Sequence, residues 1–142
     1  MKILIDSNVA LDLLLERGAF YDPALRVFSL SKGDFELFVS ASTITDIYYI
    51  VRNLKKSKEI ALASLKNLLT MVDIAAVTGN EIRQAISLDW GDFEDAVQYV
   101  AGKSIAVDYI VTRNKSDFAS AILPVVSPDE FLALLVPPDK SE

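Results

Sequence analysis

The sequence predicts an α/β fold in which helices cover both faces of a mostly parallel five-stranded sheet. Short apolar runs that suit buried strands alternate with longer segments whose apolar residues recur at helical spacing. Such alternation is typical of helices that connect parallel strands. The 142 residues are 51% hydrophobic, which suits one domain with a sizeable core. We expect that domain to span residues 1–136, followed by a polar C-terminal tail at 137–142.

The first half of the chain is predicted to contain two strands and four helices. The strands are expected at 2–5 and 37–39, where the residues are apolar. Ser7 or Asn8 could cap the first helix, while the Asp22-Pro23 pair suits the start of the second. The helices are expected at about 8–16, from Asp22 to Gly33, at about 43–53 and at about 58–70.

The second half predicts three further strands, at 72–77, 106–112 and 125–126, and three further helices. Thr78 and Glu81 have the spacing of a capping box, so a helix is expected at about 79–88. Asp92 is a candidate N-cap of a helix at about 93–103. The last helix is expected at about 128–135, with proline in its first turn.

The composition excludes several classes of function. The chain has no cysteine and no histidine, so disulfides, cysteine-ligated zinc and histidine-dependent nucleophilic catalysis are ruled out. No run is long enough to span a membrane, and the start lacks the pattern of a signal peptide, so a cytoplasmic location is expected. The net charge of −6 argues against a general nucleic-acid coat, although Arg52, Lys55, Lys56 and Lys58 form a local basic patch.

Four aspartates are the candidate functional residues: Asp6, Asp46, Asp95 and Asp117. Asp6 ends the first apolar run, and Asp117 lies just beyond the fourth, where strand ends meet at one edge of a parallel sheet. Carboxylates gathered at one point repel one another unless a cation is present. Because all four ligands are hard oxygens, Mg²⁺ or Mn²⁺ is the expected cofactor, and metal-assisted phosphoryl chemistry is the leading hypothesis.

Each of these positions also has an ordinary structural explanation. Asp6 could simply cap a helix, Asp46 could face solvent from the middle of a helix, and Asp95 could be a favourable first-turn acid. Thr112 and Asn114 offer hydroxyl and amide oxygens near Asp117, but polar residues after a strand are often a solvated turn. The hypothesis of a shared site therefore depends on all of them converging.

Three segments together resemble the PIN domain family: Ile3–Val9, Asp92–Ala96 and Ile110–Phe118. The resemblance extends over nearly the whole chain in order and spacing. It implies a flavodoxin-like sheet of five parallel strands and a Mg²⁺- or Mn²⁺-dependent ribonuclease. It also implies a likeness to the compact prokaryotic members, many of which are toxins of toxin–antitoxin modules with an antitoxin protein as partner.

The resemblance assigns roles to particular residues. Asp6, Asp46, Asp95 and Asp117 fall on the metal-binding positions, and Thr112 and Asn114 on the polar segment that positions water or phosphate. The family usually has glutamate at the position of Asp46, so this chain departs from it by one methylene. Either Asn114 or Asp117 could occupy the fourth position. The mechanism expected is endonucleolytic cleavage of RNA by a metal-activated water.

Other functions stay open at this point. One is a catalytically weakened PIN-type scaffold that binds RNA or a partner protein. A receiver-type phosphoacceptor or an aspartate-dependent phosphatase is disfavoured, because Ser7 and Asn8 follow Asp6 where those classes need a further acid. Arg52 and Lys115 are candidate contacts for the RNA backbone. Tyr48, Tyr49 and Val51 indicate a homodimer if they are exposed, but they could belong to the core.

Overall fold

A computed structural model describes residues 1–136, and the predicted tail at 137–142 lies outside the described residues. Five parallel strands form one sheet in the order β3-β2-β1-β4-β5. Leu4 of the central strand is paired with Phe38 on one side and Ile110 on the other. The strands are β1 (Lys2–Ile5), β2 (Glu36–Ser40), β3 (Asp73–Ala75), β4 (Tyr109–Val111) and β5 (Val125–Val126).

Seven α-helices within the described residues connect these strands. Two short 3₁₀ helices, Leu30–Lys32 and Lys115–Phe118, complete the regular structure there. Most helices begin at a side chain that caps the first turn, as Ser40, Ser57, Thr78, Asp92 and Ser127 do. The helices are α1 (Ser7–Leu14), α2 (Gly18–Ser29), α3 (Ala41–Lys55), α4 (Lys58–Leu68), α5 (Gly79–Leu88), α6 (Phe93–Ser104) and α7 (Pro128–Leu135).

Each face of the sheet carries its own hydrophobic core. Ile3 and Ile5 of β1 pack with α1, α2, α3, α4 and α7, whereas Leu4 points to the opposite face and packs with α5 and α6. The central strand is therefore apolar on both faces because it is buried on both. The predicted three-layer α/β/α architecture with a five-stranded parallel sheet is confirmed.

Helix α6 approaches β1 closely at Gly102. A Cβ atom placed there would lie 3.1 Å from Leu4 Cδ2 and 3.1 Å from Val107 Cγ2. Those contacts are tighter than normal packing, so a side chain at this position would displace Leu4 or Val107 by a few tenths of an ångström or move α6 away from the sheet.

Several predicted boundaries are wrong. Helix α2 begins at Gly18, not at Asp22, so Pro23 lies inside it. Its first turn carries Phe20, whose ring lies 4.0 Å from the guanidinium carbon of Arg113, a long-range contact that local patterns do not contain. The predicted strand at 106–112 is shorter because Ala106 adopts a turn conformation with φ of +57°.

The remaining differences are smaller. The cap of α1 is Asp6 and not Ser7 or Asn8, and α1 ends at Leu14. Strand β3 is three residues long within the predicted 72–77. Among the residues considered for a homodimer, Val51 is 1% exposed and belongs to the core, while Tyr49 is 59% exposed. No helix in the described part of the chain combines the length and hydrophobicity needed to cross a membrane.

Candidate active site

The candidate site lies where the order of the strands reverses. Strands β1 and β4 are neighbours, but the chain leaves them toward opposite edges of the sheet. Parallel sheets commonly bind ligands in the crevice beyond such a switch point. Asp6 follows β1 and Thr112 follows β4, and the Asp6 backbone N–H donates to the carbonyl of Val111 at 3.0 Å.

Asp6 is buried and held by several hydrogen bonds. Its side chain is 4% exposed and accepts from the Ser7 backbone N–H at 2.7 Å. The Thr112 hydroxyl donates to it at 2.7 Å, and the Asn8 amide donates to it at 3.2 Å. Thr112 in turn accepts from the backbone N–H of Asn114 at 3.0 Å. Asp6 therefore caps α1 and is also fixed at the switch point by residues from the loop after β4.

Asp95 on α6 lies in a strongly negative environment. Burial, followed by the charges of Asp92, Asp6 and Asp117, raises the pKa of Asp95 to about 7. Asp92 also caps α6, accepting from the Asp95 backbone N–H at 3.0 Å. Asp6 and Asp117 come from opposite ends of the sequence, so the sheet brings three of the four predicted acids into one region.

The fourth predicted acid, Asp46, contacts a residue that sequence analysis did not assign. The pKa of Glu94 is raised to about 8. The largest cause is a hydrogen bond with the Asp46 carboxyl, followed by burial and the charges of Asp46, Asp92 and Asp95. Asp46 is half-buried and does not face bulk solvent, although Glu94 is exposed enough for water to screen part of this effect. The only sequence signal for Glu94 is its place in the acidic run before Ala96.

The acids are close enough to perturb one another, but they do not form a closed ligand set. Within residues 1–136, no three acidic side chains are positioned to coordinate the same metal ion. Like charges hold such side chains apart, and rotation of exposed carboxylates such as Asp117 would be needed to close the set. The oxygen-only donors fit Mg²⁺ or Mn²⁺, and the assignment of individual ligands stays a prediction.

Arg113 has a structural partner that the sequence did not indicate. Its guanidinium donates to both carboxylate oxygens of Asp12 on α1, at 2.6 and 3.1 Å. Asp12 is 1% exposed, and Arg17 lies 3.8 Å from it. The Arg113 backbone N–H also donates to Asn8 at 3.3 Å. This pair ties the loop after β4 to α1, so the Arg113 side chain is engaged within the protein.

The two residues suggested as contacts for the RNA backbone differ in their surroundings. Lys115 makes an ion pair with Glu130 at 2.9 Å, and both side chains are about half exposed. Arg52 is exposed near the end of α3. Asn114 is also exposed, and its backbone N–H donates to the Thr112 hydroxyl that holds Asp6.

Comparisons with known proteins agree with this architecture. The family model described as PIN domain matches residues 2–116. Ribonuclease VapC1 of Aquifex aeolicus strain VF5 is 31% identical over 138 residues, covering 92% of each chain.

Solved structures with the same fold include Mycobacterium tuberculosis VapC20, which is described as a Sarcin-Ricin loop cleaving toxin. Its TM-score is 0.69 at 16% sequence identity, and the match covers 83% of this chain and 94% of that chain. VapBC2 from Rickettsia felis, bound to a DNA fragment from the promoter, gives a TM-score of 0.67 at 15% identity, with coverage of 89% and 98%. The resemblance seen in the sequence is confirmed, and this chain belongs to the PIN domain family.

Proposed function

We propose that this protein is a divalent-metal-dependent endoribonuclease that hydrolyses RNA phosphodiester bonds as the toxin of a toxin–antitoxin module. Membership of the PIN domain family and the 31% identity to a relative named as a ribonuclease support this proposal. We assign the catalytic domain to residues 1–136 and treat 137–142 as a polar tail.

The observation that carries the proposal is the convergence of acids from separate elements on Asp95. Asp6 comes from the end of β1, Asp92 and Asp95 from the start of α6, and Asp117 from the 3₁₀ helix after β4. A fold gains no stability from such repulsion in the absence of a cation, so the arrangement points to a function.

We assign Asp6, Asp46, Asp95 and Asp117 as the residues that would hold Mg²⁺ or Mn²⁺. When bound, the ion would lower the pKa of a water and offset negative charge on the scissile phosphate. Thr112 contributes by fixing the orientation of Asp6.

Asn114 is assigned to the substrate side of the same site. It is exposed and adjoins the site through its backbone N–H, which donates to Thr112, and its amide could orient water or a phosphate oxygen. A buried, fixed Asp6 and an exposed Asn114 together suit a site that a phosphodiester enters from solvent.

The alternative is a catalytically weakened PIN scaffold that binds RNA or a partner protein. It is favoured by the contact between Asp46 and Glu94, because a carboxyl that is hydrogen-bonded to another carboxyl is less available to a metal ion. In that case the protein would keep its RNA or protein partner but cleave slowly or not at all.

We also propose two protein partners. The first is an antitoxin, since the solved structures with this fold include a toxin–antitoxin complex from Klebsiella pneumoniae. The second is another copy of this chain, through the exposed apolar side chains of Tyr49, Ile50 and Leu54 on α3. A cytoplasmic location follows from this role, and the concentration dependence of the molecular mass in solution tests the homodimer.

The test of the proposed activity is cleavage of single-stranded RNA with Mn²⁺, with and without EDTA. The wild type should cut only when the metal is present. Asp6→Asn should abolish cleavage, because it removes the charge of the best-fixed carboxylate in the site. Asp22→Asn is the matched control, since Asp22 is an exposed acid on α2. Failure of the wild type to bind Mn²⁺ or cut any RNA would leave the scaffold alternative.

A further inference from the structure

A second charged region lies at the turn between α3 and α4. We call it the cationic cleft, and it is a depression of about 310 Å³ lined by Arg52, Asn53, Lys56, Ser57 and Lys58. Every residue that lines it is polar or charged, and its three cations are exposed. In a protein with a net charge of −6, such a concentration of positive charge is unusual.

The cations of the cleft are not used for ion pairs in the described part of the chain. There, the cations that lie within 4.0 Å of a carboxylate are Arg17, Arg26, Arg113 and Lys115. None of the cleft cations belongs to this set. Their charges are therefore available to a ligand.

Local structure disfavours lysine at two of these positions. Lys56 has φ of +54°, a left-handed conformation in which glycine or asparagine is normally preferred. Lys58 is the first residue of α4, where a positive charge opposes the helix dipole. Stabilisation of helix ends by charge explains Arg52 and Lys56 at the end of α3, but it does not explain Lys58 at the start of α4.

The topology places the cationic cleft toward the carboxyl edge of the sheet, which is the edge where the acids lie. Residues Leu69–Asp73 lie beside Gly33 and Glu36 at the amino edge of β2, and Val72 N–H bonds back to Leu68 in a tight turn. Helix α4 therefore ends at the amino edge, where the parallel strand β3 starts. Its first residues, which line the cleft, point toward the carboxyl edge.

Helix α3 connects the two regions directly. Asp46 and Asn53 are seven residues apart and so lie on one face, two turns apart, with Lys56 almost one turn further. At a rise of 1.5 Å per residue, Asp46 and Lys56 are separated by about 15 Å along the helix axis. One strand of nucleic acid a few nucleotides long could contact both.

We propose that the cationic cleft binds the phosphate backbone of the RNA strand whose scissile bond lies at the acidic site. This inference rests on the proposed ribonuclease function and names how that site holds its substrate. An acidic edge repels a polyanion, so an RNA strand needs cations nearby to approach it. The five residues that line the cleft are all polar or charged, and its amide and cationic groups can donate hydrogen bonds to phosphate oxygens.

The first test measures RNA binding in EDTA, so that no cleavage occurs. A fluorescent single-stranded RNA is titrated with wild type and with the triple variant Arg52→Ala, Lys56→Ala, Lys58→Ala at several salt concentrations. Each phosphate contact contributes about 0.7 to the slope of log Kd against log salt, so losing three should lower that slope by about 2. Lys32→Ala is the control, because Lys32 is exposed and lies just before β2 at the opposite edge of the sheet.

The second test measures cleavage with Mn²⁺. The triple variant should show a raised KM for an RNA that spans both regions, with kcat unchanged, and no change for a dinucleotide that reaches only the acids. Wild type that binds RNA in this salt-dependent way but does not cut would contradict the ribonuclease proposal and leave the cleft assignment standing. Wild type that cuts, together with a triple variant that binds and cuts equally well, would overturn the cleft assignment alone.

Two further results would also overturn the assignment of the cationic cleft to the RNA backbone. Polyglutamate competing with RNA at equal or lower concentration would assign the cleft to an acidic peptide. A triple variant with an altered molecular mass in solution would assign it to contact between copies of the chain. Circular dichroism should show that the variant keeps its helical content, since all three substitutions are on the surface.

Discussion

Loss of the Arg113 side chain should destabilise the protein far more than loss of an ordinary surface arginine. Arg113→Met removes both guanidinium hydrogen bonds to Asp12, whose carboxylate is 1% exposed in the intact protein. Breaking a buried ion pair by removing one partner typically costs about 3–5 kcal/mol. Arg17, 3.8 Å away, offsets part of this cost, so we expect a loss of about 3 kcal/mol in the free energy of unfolding.

Urea denaturation at pH 7 measures this loss. With an m-value of about 1.5 kcal/mol/M, the midpoint should fall by about 2 M. Arg26→Ala is the control, because Arg26 pairs with Asp22 at 3.0 Å while both side chains are two-thirds exposed, and it should cost less than about 0.5 kcal/mol.

A double variant separates the charge from the packing. Asp12→Asn together with Arg113→Met removes the unpaired buried charge, so it should recover a large part of the lost stability. The reasoning is wrong if Arg113→Met costs no more than Arg26→Ala, or if the double variant is less stable than Arg113→Met alone.

Three further predictions concern single acids. The folded-state pKa of Asp95 is raised to about 7, so the destabilisation of the fold by its negative charge grows as pH rises from about 4 to 7. Asp95→Asn should therefore raise the metal-free Tm at pH 8 but not at pH 4. A lower Tm at both values would favour a purely structural role. Asp46→Glu should tighten Mn²⁺ binding in calorimetry and raise the cleavage rate, and weaker binding would count against Asp46 as a ligand. Hydrogen bonds from Thr78 lower the pKa of Glu81 to about 2, so the ionised carboxylate stabilises the fold above about pH 4.5 and this effect fades as pH falls toward 2. Glu81→Gln should therefore lower the free energy of unfolding above about pH 4.5 and have less effect near pH 2. Urea denaturation across that range checks it, and a pH-independent effect would exclude the charge as its origin.

The sequence predicted those features that depend on local patterns. Strand β1 was evident because it is apolar on both faces, and α5 and α6 were evident because Thr78 and Asp92 have the spacing of caps. The rule that strand ends of a parallel sheet meet at one edge predicts that Asp6 and Asp117 lie close together, and the charges of both raise the pKa of Asp95.

The features that the sequence did not predict depend on contacts between distant residues. Arg113 and Asp12 are 101 positions apart, and no local pattern indicates that one neutralises the other. Glu94 meets Asp46 only because α3 and α6 start from the same edge of the sheet. Proline suits a first turn and so predicts a start at Asp22, whereas α2 begins four residues earlier and includes Phe20, which contacts Arg113 from the far end of the sequence.

Gly102 has a consequence for the acids as well as for packing. It lies seven residues after Asp95 on α6, so the two residues share a face of the helix two turns apart. Because Gly102 has no side chain, α6 can lie close to β1. The distance between this helix and this strand also affects the gap between Asp95 on α6 and Asp6, which follows β1. Gly102 carries no charge itself, yet it acts as a spacer for the acids, and a bulkier residue there would widen the gap between Asp95 and Asp6 without altering either carboxylate.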